Sequence, residues 1–236
     1  MDNGYNLILT AHDSLFNGFK HDSQDDHKPT VMNIPKLIGI AGGSGSGKTS
    51  FLRDLMSHFT HAQVALVSQD NYYHPKEMQH LDENGQRNFD LPESIDRKHF
   101  FDDMMKLVRG ESIEKLEYNF NNPSWIPKKV IVEPAPVIIM EGLFIFYYQE
   151  IWDRLDYKVY IDVHHEERLQ RRIRRDAEER AFPEHQVLYQ WNNHVRPAEE
   201  KYLEPFANRC NLIVDNNEHY ANGLSELIEV IRGYYN

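Results

Sequence analysis

One short loop motif limits what this chain can fold into more than any other feature of its sequence. Residues 42–49 read GGSGSGKT and match the whole pattern G-x-x-x-x-G-K-[ST]. An apolar run at residues 37–41 precedes the loop, and apolar residues at spacings of three and four follow it as far as Phe59. A strand before the pattern and a helix after it are the context in which it forms a phosphate-binding loop. The sequence therefore predicts an α/β fold that binds a nucleoside triphosphate.

The chemistry of such a loop assigns a role to each residue type in it. Glycines let the backbone curl so that amide hydrogens point at phosphate oxygens. Lys48 places a positive charge on the β- and γ-phosphates, and the hydroxyl of Thr49 suits Mg²⁺. The predicted residues that bind the nucleoside triphosphate are Gly42, Gly43, Ser44, Gly45, Ser46, Gly47, Lys48 and Thr49.

Composition excludes several other classes of protein. A net charge of −11 over 236 residues disfavours broad binding to nucleic acid or to membranes. The single cysteine, Cys210, excludes an internal disulfide and suits a reducing compartment. No apolar run approaches the roughly 20 residues that span a bilayer, and the first residues do not resemble a secretory signal. We therefore expect a cytoplasmic protein.

The order of the predicted elements indicates a single domain. Residues 1–35 form a polar leader without periodicity, and residues 36–236 form the α/β domain that contains the phosphate loop. Strands are predicted at 37–41, 64–68, 137–140, 157–161 and 211–214, with helices between them and a last helix at 223–233. This alternation predicts a mostly parallel sheet flanked by helices. Residues 112–133 interrupt it and predict a β-hairpin, with strands at 113–120 and 129–133, which either borders the site or is a plain surface hairpin.

Two acidic residues fall where ligands collect in open α/β sheets. Asp70 follows the second predicted strand, and Glu141 follows the apolar strand at 137–140. Either carboxylate could orient Mg²⁺ or accept the proton of an attacking hydroxyl, and a helix cap or a solvated strand end is the alternative. Residues 82–85 (DENG) fit the short GTPase pattern D-x-x-G, but they follow no buried strand and no N-K-x-D motif accompanies them. A GTPase switch is therefore disfavoured.

A basic segment at residues 168–180 stands out in this acidic chain. Helical geometry places Arg168, Arg172 and Arg175 on one face, with Arg171 beside them. Arginines on a mobile helix can close over a phosphoryl group and exclude water, which predicts a lid. We interpret Arg168 and Arg174 as solvated residues that pair with neighbouring acidic side chains.

With these motifs in order, the chain resembles the uridine-cytidine kinases, within the phosphoribulokinase and uridine kinase group of P-loop kinases. The resemblance covers residues 36–215. Beyond the phosphate loop and the arginine segment, it rests on SQDNYY at 68–73, NFDLP at 88–92, YNF at 118–120, EG at 141–142 and VRP at 195–197. Several motifs in one order are more specific than any of them alone.

The resemblance implies transfer of the γ-phosphoryl group of ATP to the 5′-hydroxyl of a pyrimidine ribonucleoside. It implies Asp70 as the base, and Lys48, Arg175 and Arg180 as residues that hold the phosphates. Thr49 and Glu141, together with Asp70, would hold Mg²⁺. The implied nucleoside contacts are Tyr73, Asp90, Tyr118, Arg172 and Gln190. Family resemblance also suggests a homo-oligomer that associates through the hairpin.

Two positions depart from the family pattern. Where the family usually has a histidine after YNF, this chain has Asn121, Asn122 and Pro123, and where it has Arg-Gly-Arg this chain has Arg180-Ala181-Phe182. Loss of such contacts can redirect specificity. Another nucleoside, pantothenate or a sugar phosphate therefore stays open as the acceptor, as does a nucleotide-binding regulatory module without turnover.

Overall fold

The central feature of the fold is a five-stranded parallel sheet. The computed structural model describes residues 34–118, 126 and 128–235. In chain order the strands are β1 (Lys36–Ala41), β2 (Val64–Ser68), β3 (His80–Leu81), β4 (Arg87–Asn88), β5 (Ile113–Leu116), β6 (Lys129–Val132), β7 (Val137–Glu141), β8 (Tyr157–Asp162) and β9 (Leu212–Asp215). The sheet has the order β2-β7-β1-β8-β9, and every neighbouring pair in it is parallel. The predicted α/β fold is thus confirmed.

Helices cover both faces of this sheet. They are α1 (Lys48–Met56), α2 (Arg97–Val108), α3 (Gln149–Trp152), α4 (His165–Arg180), α5 (Glu184–Gln190), α6 (Arg196–Tyr202), α7 (Glu204–Ala207) and α8 (Ala221–Gly233). Short 3₁₀ turns occupy Gln69–Tyr72, Lys76–Met78 and Pro92–Ser94, and a π-helical turn occupies Trp191–Val195. Within the part of the chain that the structure describes, no helix has the length and apolar character needed to cross a membrane.

Burial explains why the strands are continuous apolar runs. Alternate residues of a strand face opposite sides of a sheet, and here both sides are covered. Leu37 and Ala41 of β1 pack into the core on one side, whereas Ile38 and Ile40 pack into the core on the other. Every residue of β7 is buried. The sequence signal for β7 was therefore an unbroken apolar run.

The helix after the phosphate loop is shorter than its apolar spacing predicts. The structure ends α1 at Met56, although Phe59 is buried with only 7% exposure. The chain tightens there, because the backbone amides of His58 and Phe59 bond to carbonyls three residues earlier. Such a turn keeps an apolar side chain near the position that a helix would give it. The predicted burial was right, and the predicted helix end was wrong.

The predicted hairpin is present as an antiparallel pair of strands. Strands β5 and β6 pair antiparallel, with Ile113 opposite Val132 and Leu116 opposite Lys129. The first strand ends at Leu116 rather than at the predicted residue 120. The predicted motif residues 119–123, including Pro123, lie outside the described residues, as do residues 1–33 of the predicted leader.

Candidate nucleotide and acceptor site

A cleft of about 450 Å³ lies at the carboxyl ends of the sheet strands and contains nearly every residue predicted from the sequence. This is where open parallel sheets bind ligands. Its lining includes Gly43, Ser44, Gly45, Ser46, Gly47, Lys48, Thr49, Asp70, Tyr73, Asp90, Tyr118, Glu141, Arg172, Arg175, Arg180 and Gln190. Gly42 does not line the cleft. Its carbonyl instead accepts a hydrogen bond from Lys48 Nζ at 2.7 Å.

The phosphate loop has the backbone conformation that its glycines predict. Gly45 and Gly47 have φ angles of +78° and +87°, in the left-handed region that favours glycine. The amide of Ser46 closes the loop on the carbonyl of Gly43 at 3.1 Å. Helix α1 begins directly after the loop, at Lys48. Its N-terminal amides and dipole therefore face the position of a bound phosphate.

An ion pair buried behind the loop overturns one interpretation from the sequence. Arg168 is only 4% exposed, and its Nη1 donates to Glu199 Oε2 at 2.7 Å. Glu199 also accepts the backbone amide of Ser44 at 2.7 Å. A Cβ on Gly43 would lie 1.7 Å from Arg168 Nη1, so the glycine makes room for the pair. The prediction that Arg168 is solvated was wrong, whereas Arg174 is exposed.

Ser68 connects the two predicted acidic residues, through the side chain of Glu141 in β7 and the backbone of Asp70 in the 3₁₀ turn after β2. Ser68, the last residue of β2, is directly opposite Glu141 of β7. Its hydroxyl donates to Glu141 Oε1 at 2.5 Å and accepts the backbone amide of Asp70 at 3.3 Å. Glu141 is 7% exposed. Together with the hydroxyl of Thr49, these carboxylates form an oxygen-rich set of the kind that Mg²⁺ prefers.

Three of the four arginines of α4 that line the cleft converge on one buried carboxylate that the sequence analysis did not single out as a site residue. Asp176 is 0% exposed. Arg175 Nε donates to Asp176 Oδ1 at 2.9 Å, and Arg180 Nη1 lies 3.3 Å from the same oxygen. Arg172 Nε lies 3.3 Å from Asp176 Oδ2. One negative charge therefore fixes three guanidinium groups whose mutual repulsion would otherwise spread them apart.

The crowding of these positive charges also affects Arg180. Burial, followed by repulsion from Arg175, lowers the pKa of Arg180 from 12.5 to about 10. The guanidinium stays protonated at neutral pH, and a polyphosphate in the cleft would further favour this charged form.

We expect Asp176→Asn to weaken the phosphate clamp and the fold together. Asparagine keeps one acceptor oxygen but removes the charge, so we expect about 2 kcal/mol lower stability. With the guanidinium groups less fixed, kcat/KM for ATP should fall about tenfold. Urea unfolding and steady-state kinetics measure both effects. Glu178→Gln, an exposed change on the same helix, is the matched control, and equal values for the two variants would contradict this role of Asp176.

Aromatic side chains form one wall of the cleft. The ring centroids of Tyr73 and Tyr118 are 5.2 Å apart, and Phe89 is 6.1 Å from Tyr73. Asn71 Oδ1 accepts the backbone amide of Tyr118 at 3.0 Å, so the turn that carries Asp70 also fixes the hairpin residue. Burial raises the pKa of Tyr73 well above 10, and that of Tyr118 to about 12. Both rings are therefore neutral apolar surfaces with hydroxyl groups, as a base or sugar requires.

Polar groups face this wall. Arg172 donates from Nη2 to Gln190 Oε1 and from Nη1 to Ser44 Oγ, each at 2.9 Å. Arg172 thus connects the phosphate loop to the acceptor end of the cleft. Burial raises the pKa of Asp90, and the nearby charges of Arg172 and His194 oppose that rise. In its ionised form, a carboxylate at this position can accept hydrogen bonds from ligand hydroxyls.

Helix α4 ends at Arg180 and is capped by Ala181, where the family pattern has a glycine. Ala181 has a φ angle of +53°, a left-handed conformation in which a Cβ costs about 1 kcal/mol. The chain therefore keeps the helix end that a glycine would favour, although it lacks the glycine. Phe182 lines the cleft, and its amide donates to the carbonyl of Asp176 at 3.0 Å. An apolar ring thus borders the site where the family has an arginine.

Several residues of the cleft were not among the predicted site residues. Phe89 lies inside the NFDLP motif, which could have identified it. Lys76, Arg87 and His194 have no such local signal, because they reach the cleft from a 3₁₀ turn, from the short strand β4 and from the π-helical turn. The remaining additions are Ser50, Leu143, Arg171, Glu179 and Phe182.

Comparison with known proteins assigns the chain to a family. Residues 37–221 match the family model described as Phosphoribulokinase / Uridine kinase family. The chain belongs to this family. A uridine kinase of Brevibacillus brevis is 37% identical over 185 residues, which cover 78% of this chain and 86% of that protein. A uridine kinase of a Geobacillus species is 34% identical over 200 residues, which cover 84% and 94%.

Two solved structures have a similar fold. D-glycerate 3-kinase from Cryptococcus neoformans var. grubii has a TM-score of 0.58 and 17% identity, over 80% of this chain and 88% of that chain. A Bacillus stearothermophilus protein described as a possible uridine kinase has a TM-score of 0.53 and 16% identity, over 78% and 91%. At these identities the likeness concerns the fold alone.

Proposed function

We propose that this chain transfers the γ-phosphoryl group of ATP to the 5′-hydroxyl of a pyrimidine ribonucleoside, uridine or cytidine. One observation carries the proposal: a single cleft joins the phosphate loop to an aromatic and polar wall of the size and chemistry of a nucleoside site. The two uridine kinases to which the chain is similar support the same acceptor.

Asp70 is the residue that we propose as the general base. It lines the cleft directly after β2, on the side where the loop residues Lys48 and Thr49 begin α1. A carboxylate there accepts the proton of the acceptor's 5′-hydroxyl as its oxygen attacks the γ-phosphorus. Because phosphoryl transfer depends mainly on positioning and charge, this proton transfer is one contribution among several.

The phosphates are held by backbone amides and by positive side chains. Lys48 neutralises charge on the β- and γ-phosphate oxygens, and the amides of the loop bind the same groups. Arg175 and Arg180, oriented by Asp176, stabilise the charge on the transferred group and reduce the access of water. Hydrolysis without an acceptor is thereby disfavoured.

Mg²⁺ fits the oxygen groups at the base of this cleft. We propose that Thr49 and Glu141 hold the ion or its water ligands, with Asp70 close enough in the same wall to assist. When bound, Mg²⁺ neutralises charge on the phosphates and orients them. The hydrogen bond from Ser68 to Glu141 Oε1 orients this carboxylate for that role.

The acceptor occupies the opposite end of the cleft. Tyr73 and Tyr118 supply flat apolar surface for the base and the sugar. Asp90, Arg172 and Gln190 supply acceptors and donors for the ribose hydroxyls, and the hydrogen bond between Arg172 and Gln190 orients both side chains before the ligand arrives. This arrangement favours a ribonucleoside over an acceptor without hydroxyl groups on its sugar.

The acceptor is tested by ADP release. We expect ATP with Mg²⁺ to give ADP at a rate that rises with uridine or cytidine and stays low without an acceptor. Adenosine, pantothenate and a sugar phosphate form the comparison panel, and Lys48→Ala, which lacks the phosphate-loop charge, reports any contaminating kinase.

Each outcome of this panel separates the proposal from its alternatives. Turnover with another acceptor alone would mean that Phe182 and the departure at 121–123 mark a changed specificity. ATP binding without ADP release for any acceptor would favour a nucleotide-binding regulatory module instead.

A further inference from the structure

A short loop outside the predicted site holds a histidine in the wall of the cleft. Residues 82–85, which fit the GTPase pattern D-x-x-G, form the turn between β3 and β4. Asp82 Oδ1 accepts the backbone amides of Asn84 and Gln86, at 2.9 and 2.8 Å. Its other oxygen, Oδ2, accepts hydrogen bonds from Tyr189 Oη and His194 Nε2, each at 2.7 Å. The first residue of this motif thus binds two side chains of the protein itself, and the motif does not act as a nucleotide switch.

His194 belongs to a π-helical turn that directs residues toward the acceptor. The turn Trp191–Val195 follows Gln190, and both Gln190 and His194 line the cleft. Such wide turns are frequent at functional sites. His194 is 2% exposed, so its ring is a fixed part of the wall. A positive charge on this ring would lower the pKa of Asp90. The ring is therefore close enough to that carboxylate to interact with it electrostatically.

The contact with Asp82 determines which ring nitrogen faces a ligand. Tyr189 is the main cause of a pKa for Asp82 well below its usual range, so the carboxylate is an acceptor and His194 Nε2 carries the proton. Within residues 34–118, 126 and 128–235, Asp82 is the one hydrogen-bond partner of this ring. In the tautomer that carries its proton on Nε2, Nδ1 is an acceptor for a ligand hydroxyl.

We propose that His194 is a specificity-determining residue that accepts a hydrogen bond from a ribose hydroxyl of the acceptor nucleoside, and that Asp82 is its positioning residue. The inference rests on the proposed function. It adds to the ribose contacts a group that reaches the cleft beside Gln190 and near Asp90. If these contacts only held the β3–β4 turn against α5, Tyr189 alone would suffice, because its hydroxyl contacts both Asp82 and Asn84.

The test compares nucleosides that differ by one hydroxyl. We expect His194→Phe, which keeps a ring but no nitrogen, to raise KM for uridine about tenfold with KM for ATP unchanged. For wild type, 2′-deoxyuridine or 3′-deoxyuridine should show a similar loss relative to uridine. In His194→Phe the ribose hydroxyl that bonds to the histidine has no partner there. The difference in KM between uridine and the nucleoside that lacks this hydroxyl should therefore disappear.

Two further variants separate recognition from folding. His185→Phe makes the same substitution at an exposed position of α5 and should leave every constant at its wild-type value. Asp82→Asn keeps hydrogen-bonding groups at the turn but no longer fixes the proton on Nε2, and should raise KM for uridine by a smaller factor. It also supplies the test if His194→Phe does not fold, as judged by its melting temperature.

The failures are distinguishable. Wild-type protein without nucleoside-dependent ADP release would overturn the proposed function and this inference with it. Wild-type turnover, combined with deoxynucleoside penalties that are equal in wild type and His194→Phe, would overturn this inference alone. Equal increases of KM for ATP and for uridine would also overturn it, because they would indicate a general distortion of the cleft.

Discussion

Replacing Asp70 by asparagine is expected to lower kcat by about 10²–10⁴-fold, the usual contribution of a positioned general base. Asparagine has the same shape and can still accept a hydrogen bond, but it cannot take the proton of the attacking hydroxyl. Its backbone amide can still bond to Ser68 Oγ, as that of Asp70 does at 3.3 Å, so the 3₁₀ turn should be preserved. The comparison of kcat in wild type and variant, at saturating ATP and uridine, measures the effect.

Binding of ATP separates the two roles that Asp70 could have. If Asp70 acts as the base alone, the Kd of ATP in the presence of Mg²⁺ should stay within about twofold of wild type. A Kd that rises together with the loss of kcat would instead indicate that Asp70 holds the metal ion. Titration by fluorescence or calorimetry, with and without Mg²⁺, distinguishes these cases.

The control for Asp70→Asn is Asp153→Asn. Asp153 is exposed after α3 and accepts a hydrogen bond from Gln149, so the same chemical change there should leave kcat at its wild-type value. An unchanged kcat in Asp70→Asn would remove the residue from the chemical step. The proposed kinase activity would then need another base within the cleft.

The parts of the site that sequence could predict are those whose geometry follows from local pattern or from strand order. The phosphate loop needs only eight consecutive residues, so its conformation follows once a strand and a helix flank it. Asp70 and Glu141 are far apart in sequence, yet both end parallel strands, and such strands finish at one edge of a sheet. Topology therefore predicted that both residues would lie in one cleft, as they do.

Arg168 shows where this reasoning fails. Its helical neighbours include several acidic residues, so local spacing favoured a solvated residue with exposed partners. The structure instead pairs it with Glu199, which is 31 residues further along the chain. Amphipathic spacing reports which residues share a face, but not which distant element covers that face. A helix face rich in charge can therefore be buried when another element supplies the opposite charge.

His194 and Asp176 were missed for related reasons. The contact between His194 and Asp82 spans 112 residues, and the π-helical turn that orients the histidine has no periodic signal of its own. Asp176 sits inside the arginine segment, where it looked like one of several surface acids. Its 0% exposure depends on packing of the helix against the cleft, which pattern alone does not encode.

The ion pair between Arg168 and Glu199 should be the most sensitive site for stability. The side chains are 5% and 0% exposed, so removal of either partner leaves a charge that water cannot reach. We expect Glu199→Ala to lower the free energy of unfolding by about 3–5 kcal/mol, the usual cost of one uncompensated buried charge. Burial raises the pKa of Glu199 even though the charge of Arg168 lowers it. This indicates that water is largely excluded from the position.

The expected loss also extends to the phosphate loop. The amide of Ser44 donates to Glu199 Oε1 at 2.7 Å, and Glu199→Ala removes this acceptor. The affinity for ATP should therefore fall together with stability. Glu199→Gln keeps an acceptor oxygen for that amide but not the charge. We therefore expect Glu199→Gln to lower stability by an amount close to that of Glu199→Ala, while ATP affinity falls less.

A double-mutant cycle tests whether the charges act as a pair. In Arg168→Met combined with Glu199→Gln, neither charge remains, so the loss should be smaller than the sum of the two single losses. Glu229→Gln is the control, because its pair with Arg232 on α8 is exposed and should contribute less than about 1 kcal/mol. Urea unfolding followed by circular dichroism measures all of these values. Additive losses, or a loss for Glu199→Ala no larger than for Glu229→Gln, would mean that the phosphate loop is held by its own backbone and not by this buried pair.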